Sequence, residues 1–300
     1  MPDFFIVGAP KCGTTALYGY LRQHPDIFMP FHKEPLFFGS DLTGRYGRMT
    51  EADYLALFRA ARPDQKVGEA SAWYLYSRTA AAEIKEAAPD ARIIVMLRNP
   101  VDVMHAQHSQ LLFSEQEDIA SFEEALEAEE ERVGGRRLPA GPIRVENLFY
   151  RRMVRFSEQL GRYIDVFGRD RVHVIIHDDM RRDTAAEYRR TLAFLGVPDF
   201  VPDFTPLNEN KRVRRRWLQR LIWDPPLLRR LIPVLRRYPA VHAARARLLQ
   251  MNSRPVQRQP LEPSLRRRLE REMAPEVARL EAMLRRDLRS WVGSTEQSPA

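Results

Sequence analysis

Three apolar runs divide the chain. DFFIVGA at residues 3–9, IIVML at 93–97 and RVHVII at 171–176 are short, rich in β-branched or aromatic residues, and bounded by Gly, Pro or charged positions. They lack the strict alternation of a half-exposed strand and predict strands covered on both faces, as in a parallel sheet. Residues 66–68 read as a short fourth strand. Between the runs the apolar period lengthens. Residues 14–22 predict a helix entered through Gly13 and closed before Pro25. Ser121 and Glu124 form a capping box that opens a helix to about Arg132, where Gly134 and Gly135 stop it. Residues 147–167 carry Leu148, Met153, Phe156, Leu160, Ile164 and Phe167 near helical spacing, residues 184–195 end at Gly196, and residues 263–291 are amphipathic. A strand, a glycine loop and a helix open the chain, so the pattern predicts an α/β class: a P-loop-like three-layer fold with a central parallel sheet flanked by helices, plus a helical C-terminal part. Residues 1–292 read as a single domain. Within it 206–260 forms a basic, Pro-interrupted cover over substrate and cofactor, and 293–300 reads as a disordered tail.

Composition narrows the setting. At 300 residues and 44% hydrophobic content the chain can bury a sizeable core. No apolar run approaches the roughly 20 residues that span a bilayer, and the start shows no basic leader with a long hydrophobic stretch. Cys12 is the only cysteine, so no intrachain disulfide forms, and a cytoplasmic location is expected. The seven histidines show no HExxH-like spacing, and no metal is expected. The net charge of +8 is unevenly spread: residues 211–250 hold twelve Lys and Arg against one acid, Asp224, so the rest of the chain is net acidic. Basicity confined to one segment predicts a local anionic partner, an acceptor or the surface of an anionic membrane, rather than general nucleic-acid coating.

Candidate chemistry sits at the ends of the predicted strands. In an ordinary nucleotide triphosphate loop the lysine follows the last glycine, but in Gly8-Ala-Pro10-Lys11-Cys12-Gly13-Thr14-Thr15 it precedes it. Backbone amides, a helix N-terminus and one ammonium still make an anion site. Arg98, at the exit of the 93–97 strand, offers a planar fork for a second phosphate. Ligands of open parallel sheets collect at this carboxyl edge, so a ligand with two separate anionic groups would satisfy both.

With these residues in place, the sequence resembles the sulfotransferases that use 3′-phosphoadenosine 5′-phosphosulfate (PAPS), especially the bacterial and heparan-type branch. The likeness is carried by GAPKCGTTALYGYL, KEPLFF at 33–38, GEASAWYLYS at 68–77 and VMLRNPVD at 95–102, in that order and spacing. The resemblance implies that Pro10, Lys11, Cys12, Gly13, Thr14 and Thr15 hold the 5′-phosphosulfate and that Lys11 neutralises the oxygen bridging sulfur and phosphorus. It implies that Arg98 and Ser109 hold the 3′-phosphate, with Arg254 and Arg258 on a loop that closes over the cofactor. Lys33 and Glu34 complete the catalytic set, Glu34 as general base. His105 and His108 are the other candidates for the base, histidine having that role in another branch. Trp73 and Tyr74 are read as buried aromatics or as a stacking platform. Three positions depart from the family pattern: Ala106 where a serine usually follows the arginine, Ala70 where relatives tend to have lysine, and Leu36 where they tend to have histidine.

The expected reaction moves a sulfuryl group from PAPS to a hydroxyl or amine of a carbohydrate, lipid or small metabolite, releasing PAP. A P-loop kinase or nucleotide hydrolase is the alternative, with Asp178 and Asp179 as the only contenders to organise Mg²⁺. A nucleic-acid module built on 211–250 lacks any accompanying motif. Variable segments 37–48, 132–146 and 206–260 are expected to shape the acceptor pocket.

Overall fold

A computed structural model describes residues 1–42, 49–140, 144–205 and 260–293, together with the backbone of 211–213 and 253–255. The core is a five-stranded parallel sheet in the order β2-β3-β1-β4-β5, built from β1 (Phe4–Gly8), β2 (Ile27–Phe28), β3 (Lys66–Ala70), β4 (Arg92–Leu97) and β5 (Val172–Ile176). The three predicted runs become the three central and right-hand strands. Ile93 to Leu97 are fully inaccessible to solvent, which explains why their sequence shows no polar face. The 66–68 reading grows to five residues, and β2 pairs Ile27 with Lys66 and Phe28 with Val67 at the opposite edge. Two residues carry no periodicity, so β2 has no signature in the sequence.

Helices flank the sheet. α1 (Thr14–Leu21), α2 (Glu51–Ala56) and α3 (Ala80–Ala87) precede β4; α4 (Pro100–Phe113), α5 (Phe122–Glu127), α6 (Glu129–Val133), α7 (Tyr150–Met153) and α8 (Phe156–Phe167) precede β5; α9 (His177–Arg182) and α10 (Thr184–Leu195) follow it. After β1 the chain first builds towards β2 and β3, then crosses back to β4 and β5. Right-handed crossovers therefore place α1 and α3 on opposite faces. Consistent with this, α3 packs on α8, while Tyr20 of α1 meets Tyr188 of α10 edge-on at 6.5 Å. The direction of winding reverses between β1 and β4, and their carboxyl ends open a crevice there.

Two predicted helices are interrupted. The 147–167 segment is a 3-10 turn, then α7, then α8, because Val154 and Arg155 leave the helical ladder and the Gln159 amide donates to the exposed carbonyls of Arg152 and Met153. At Ser121 one half of the capping box is seen, the hydroxyl accepting from the Glu124 amide, and α5 and α6 divide at Ala128. At the C-terminus, α11 (Pro263–Leu284) stops at Arg285, whose φ of 51° is left-handed, and a 3-10 turn carries Trp291. The chain between 206 and 260 lies outside the described residues except for an antiparallel ribbon of β6 (Lys211–Val213) and β7 (Ser253–Pro255), which pairs Arg212 with Arg254 beside α4. Arg258 and the tail 294–300 are likewise outside them. No described helix is long and apolar enough to cross a membrane.

Candidate active site

The loop after β1 is held from both sides. The Ala9 amide donates to the Met96 carbonyl at the end of β4, and the Leu75 amide donates to Val7. Gly8 is required by contact: a Cβ there would lie 2.6 Å from the Ala72 carbonyl oxygen and from Leu75 Cβ. Gly13, at φ 98°, caps α1 with no side chain, leaving the first-turn amides of Thr14 and Thr15 without a side-chain cap. Lys11, at φ 65°, reaches Gln110 Oε1 on α4 at 3.4 Å. Cys12 is fully buried beneath the loop; burial pushes its thiol up to about 12, against the lowering pull of the Arg98 and Lys11 charges. It is a packing residue, without the reactivity a helix N-terminus can confer.

At the exit of β4 the backbone turns into α4 under an Asn99 cap. Asn99 Oδ1 accepts from the amides of Val101 and Asp102, and its Nδ2 donates to the Trp291 carbonyl at 2.9 Å. Arg98 follows directly on β4, its guanidinium 3.4 Å from Asp102. Asp102 in turn accepts from Arg266 of α11 at 2.6 Å, and Arg266 pairs with Glu270. Asp102, Ala106 and Gln110 follow at one-turn intervals on α4, so this face runs from Arg98 to Lys11. Ala106 is buried on it. The Ser109 hydroxyl donates to the His105 carbonyl of its own helix at 2.9 Å, so its proton is already committed.

The third component is the Lys33–Phe38 segment, which lies along the exit of β3. The Glu34 amide donates to the Ala70 carbonyl, and Glu34 Oε2 accepts from the Ala72 amide at 3.0 Å. Leu36 donates to Ser71 Oγ, and the amides of Phe37 and Phe38 both donate to the Tyr74 hydroxyl. Glu34 and Leu36 have left-handed φ values of 63° and 52°. Lys33 Nζ sits 2.5 Å from Glu34 Oε1. Ala72 thus joins two loops: its amide holds Glu34, and its carbonyl abuts Gly8 of the anion loop.

Other sequence candidates separate from this centre. His108 is buried, its Nε2 2.9 Å from the Ile119 carbonyl and its ring packed on Phe122 and Tyr150; burial lowers its pKa. His105 also packs on Phe122. Trp73 is half-buried beneath the Arg144 guanidinium, 5.6 Å from the ring centroid, whereas Tyr74 is wholly buried. Asp178 accepts from the Trp291 indole at 2.8 Å, and Asp179 is paired with Arg182 and Arg286, so both acids of the kinase or hydrolase alternative have partners within the fold.

Several site residues escaped the sequence. Gln110 and Asp102 emerge only once α4 is placed beside the anion loop. His177 starts α9 directly after β5; a Cβ on Gly13 would come 3.5 Å from its ring, and its buried Nδ1 makes no regular hydrogen bond among the described residues, the Asp178 carboxylate lying 3.8 Å away. Burial, with the Arg98 charge, lowers its pKa to about 4, so it is neutral near pH 7. Its position at the carboxyl end of a strand was the available signal. An uncapped helix start and two cations at the carboxyl ends of neighbouring strands fit a ligand with two separated anionic groups. Among the described residues no group of three or more His, Cys, Asp or Glu is placed to hold a metal ion.

Comparison with known proteins agrees with this architecture. Residues 1–205 match the sulfotransferase domain family. The crystal structure of a sulfotransferase from Alicyclobacillus acidocaldarius superposes with a TM-score of 0.73 at 35% identity, covering 97% of this chain and 98% of that one. Human heparan sulfate glucosamine 3-O-sulfotransferase 6 is 28% identical across 67% of this chain and 54% of its own length. Mouse carbohydrate sulfotransferase 15 is 33% identical, covering 36% of this chain and 27% of that protein. The chain therefore spans between about a quarter and about half of these two curated relatives.

Proposed function

The chain belongs to the sulfotransferase family, whose members depend on PAPS, and on that footing we propose that it transfers a sulfuryl group to a hydroxyl or amine of a carbohydrate, lipid or small metabolite, releasing PAP. The observation that carries this reading is the junction at Ala72, where the loop bearing Lys11 and the segment bearing Glu34 are held against one another. PAPS, when bound, supplies an activated sulfuryl group. Lys11 and the first-turn amides of α1 would hold the phosphosulfate end, with Lys11 neutralising charge on the bridging oxygen as its bond to sulfur breaks. Arg98, kept in place by Asp102, would hold the 3′-phosphate, with Arg254 and Arg258 as further contacts. Glu34 would take the acceptor proton as the acceptor atom bonds to sulfur, and Lys33 would keep its carboxylate oriented. No step calls for a metal.

Ligand choice tests the reading. PAP should raise the melting temperature through binding to the folded state, and ATP with Mg²⁺ should do so much less, because ATP has no 3′-phosphate for Arg98. Equal stabilisation by ATP with Mg²⁺ would return the kinase or hydrolase reading.

A further inference from the structure

Glu69, the penultimate residue of β3, is wholly buried. Its Oε2 accepts from two hydroxyls, Tyr54 of α2 at 2.8 Å and Tyr74 at 3.1 Å. Its Oε1 accepts no hydrogen bond of regular geometry among the described residues, although Ser71 exerts a hydrogen-bonding pull on the carboxylate. A carboxylate placed this way costs stability, and its presence calls for a functional account. Its task is visible on the far side of Tyr74. That hydroxyl gives its only proton to Glu69, which turns its lone pairs towards the amides of Phe37 and Phe38, 2.9 and 3.2 Å away. Those amides end the segment whose other end is Glu34, and Leu36 between them has left-handed backbone that needs an external hold.

Resting on the sulfotransferase reading above, we propose that Glu69 is a positioning residue: by taking the Tyr74 proton it fixes the Phe37 and Phe38 amides and thereby sets the place of the Glu34 carboxylate. A protonated Glu69 would carry its proton on Oε1 and remain a weaker, neutral acceptor at Oε2. Burial pushes the carboxyl up to about 7, against the lowering pull of Ser71, Tyr54 and Tyr74 and with a small raising contribution from Glu34. The other charged or titratable groups around this cluster are Tyr163 of α8, which donates to the Tyr74 carbonyl, Arg162, Asp41 and Glu83, whose charges act on Tyr163, and Arg144, which feels the charges of Tyr74 and Glu34. The hold on the segment is therefore firmest when Glu69 is ionised and weakens as pH falls through about 7.

Glu69→Gln supplies the neutral state permanently, since an amide oxygen can replace Oε2 and the amide nitrogen can occupy the place of Oε1. The test is hydrogen exchange of the Phe37 and Phe38 amides in the full chain, corrected for intrinsic rates, with PAP affinity measured in parallel. In the unaltered protein their protection should rise about fivefold from about pH 6 to about pH 8, the difference between a charged and a neutral acceptor. Glu69→Gln should stay at the low-pH value throughout, with PAP affinity kept and labelled-sulfate transfer from PAPS to a cell extract slowed at the higher pH only. Protection in Glu69→Gln that follows the unaltered protein's pH course overturns the proposal. Should Glu69→Gln not fold, Tyr74→Phe removes the hydroxyl that accepts from the two amides, together with its bond to Glu69; undiminished protection of the two amides in that variant also overturns it. The exchange result needs no turnover, so the expected protection pattern in a protein that transfers no sulfate would count against the sulfotransferase reading and leave the Glu69 arrangement supported.

Discussion

Lys11 and Glu34 both have left-handed backbone, at φ 65° and 63°, a conformation that costs a non-glycine residue about 1 kcal/mol or more and persists only where its surroundings fix it. In this fold the surroundings are each other's supports, through Ala72. Different substitutions should therefore separate holding from reacting. Lys11→Ala and Arg98→Ala should each weaken PAP binding about 10- to 100-fold, the scale of a lost hydrogen bond to a charged group. Glu34→Gln should keep PAP affinity in a calorimetric titration and lose about a hundredfold or more in turnover. If His105→Ala or His108→Ala abolishes transfer while Glu34→Gln does not, the base is misassigned. Cys12 gives a prediction of another kind. With its thiol raised to about 12 by burial, it should resist maleimide at pH 8 in the native protein and react once the chain is unfolded in denaturant; rapid native labelling would contradict its placement.

At the scale of elements, the Arg98–Asp102–Arg266 brace couples the exit of β4 to α11. The Asp102 carboxyl is lowered even though burial alone would raise it, because Arg266 donates to it and the Arg98 and Arg266 charges favour its ionised form. A depressed carboxyl contributes stability above its unfolded value, near pH 4, and loses it as pH falls through the folded value. Asp102→Asn should thus cost about 1 kcal/mol at pH 7, by thermal melts, with the deficit closing below about pH 4, and should weaken PAP binding by releasing Arg98. The elements of this brace were unevenly legible. Five consecutive apolar residues marked β4, and LRNP marked its exit, since local pattern decides both. Asp102 and Arg266 meet across 164 positions, and no local pattern reports that. The break between α7 and α8 was hidden for the same reason, being fixed by the Gln159 side chain. Lys11 and Glu34 lie in contiguous motifs that the sequence displays, whereas the places of Glu69, Gln110 and His177 depend on which elements lie side by side.

For the whole molecule, charge is the organising feature. Twelve basic residues between 211 and 250 exceed what one small cofactor can occupy. Most of that segment lies outside the described residues, but the β6–β7 ribbon at its ends is anchored beside α4, which also carries Gln110. We propose that Arg214, Arg215 and Arg216 attract an acidic acceptor through a field that salt screens over about 8 to 10 Å. Neutralising all three should raise the acceptor KM and flatten its salt dependence while PAP affinity holds; lost PAP binding with intact acceptor kinetics would assign the cluster to the cofactor. Beneath all of these lies one claim, that Lys11, Arg98 and Glu34 form a single centre for moving a sulfuryl group. Its most direct test is to incubate the protein with PAPS carrying labelled sulfate and an acceptor pool from a cell extract. The account predicts metal-independent appearance of label in an acceptor fraction, with stoichiometric PAP, abolished by Glu34→Gln. Label that remains on PAPS with every fraction, or transfer undiminished by Glu34→Gln, would contradict it.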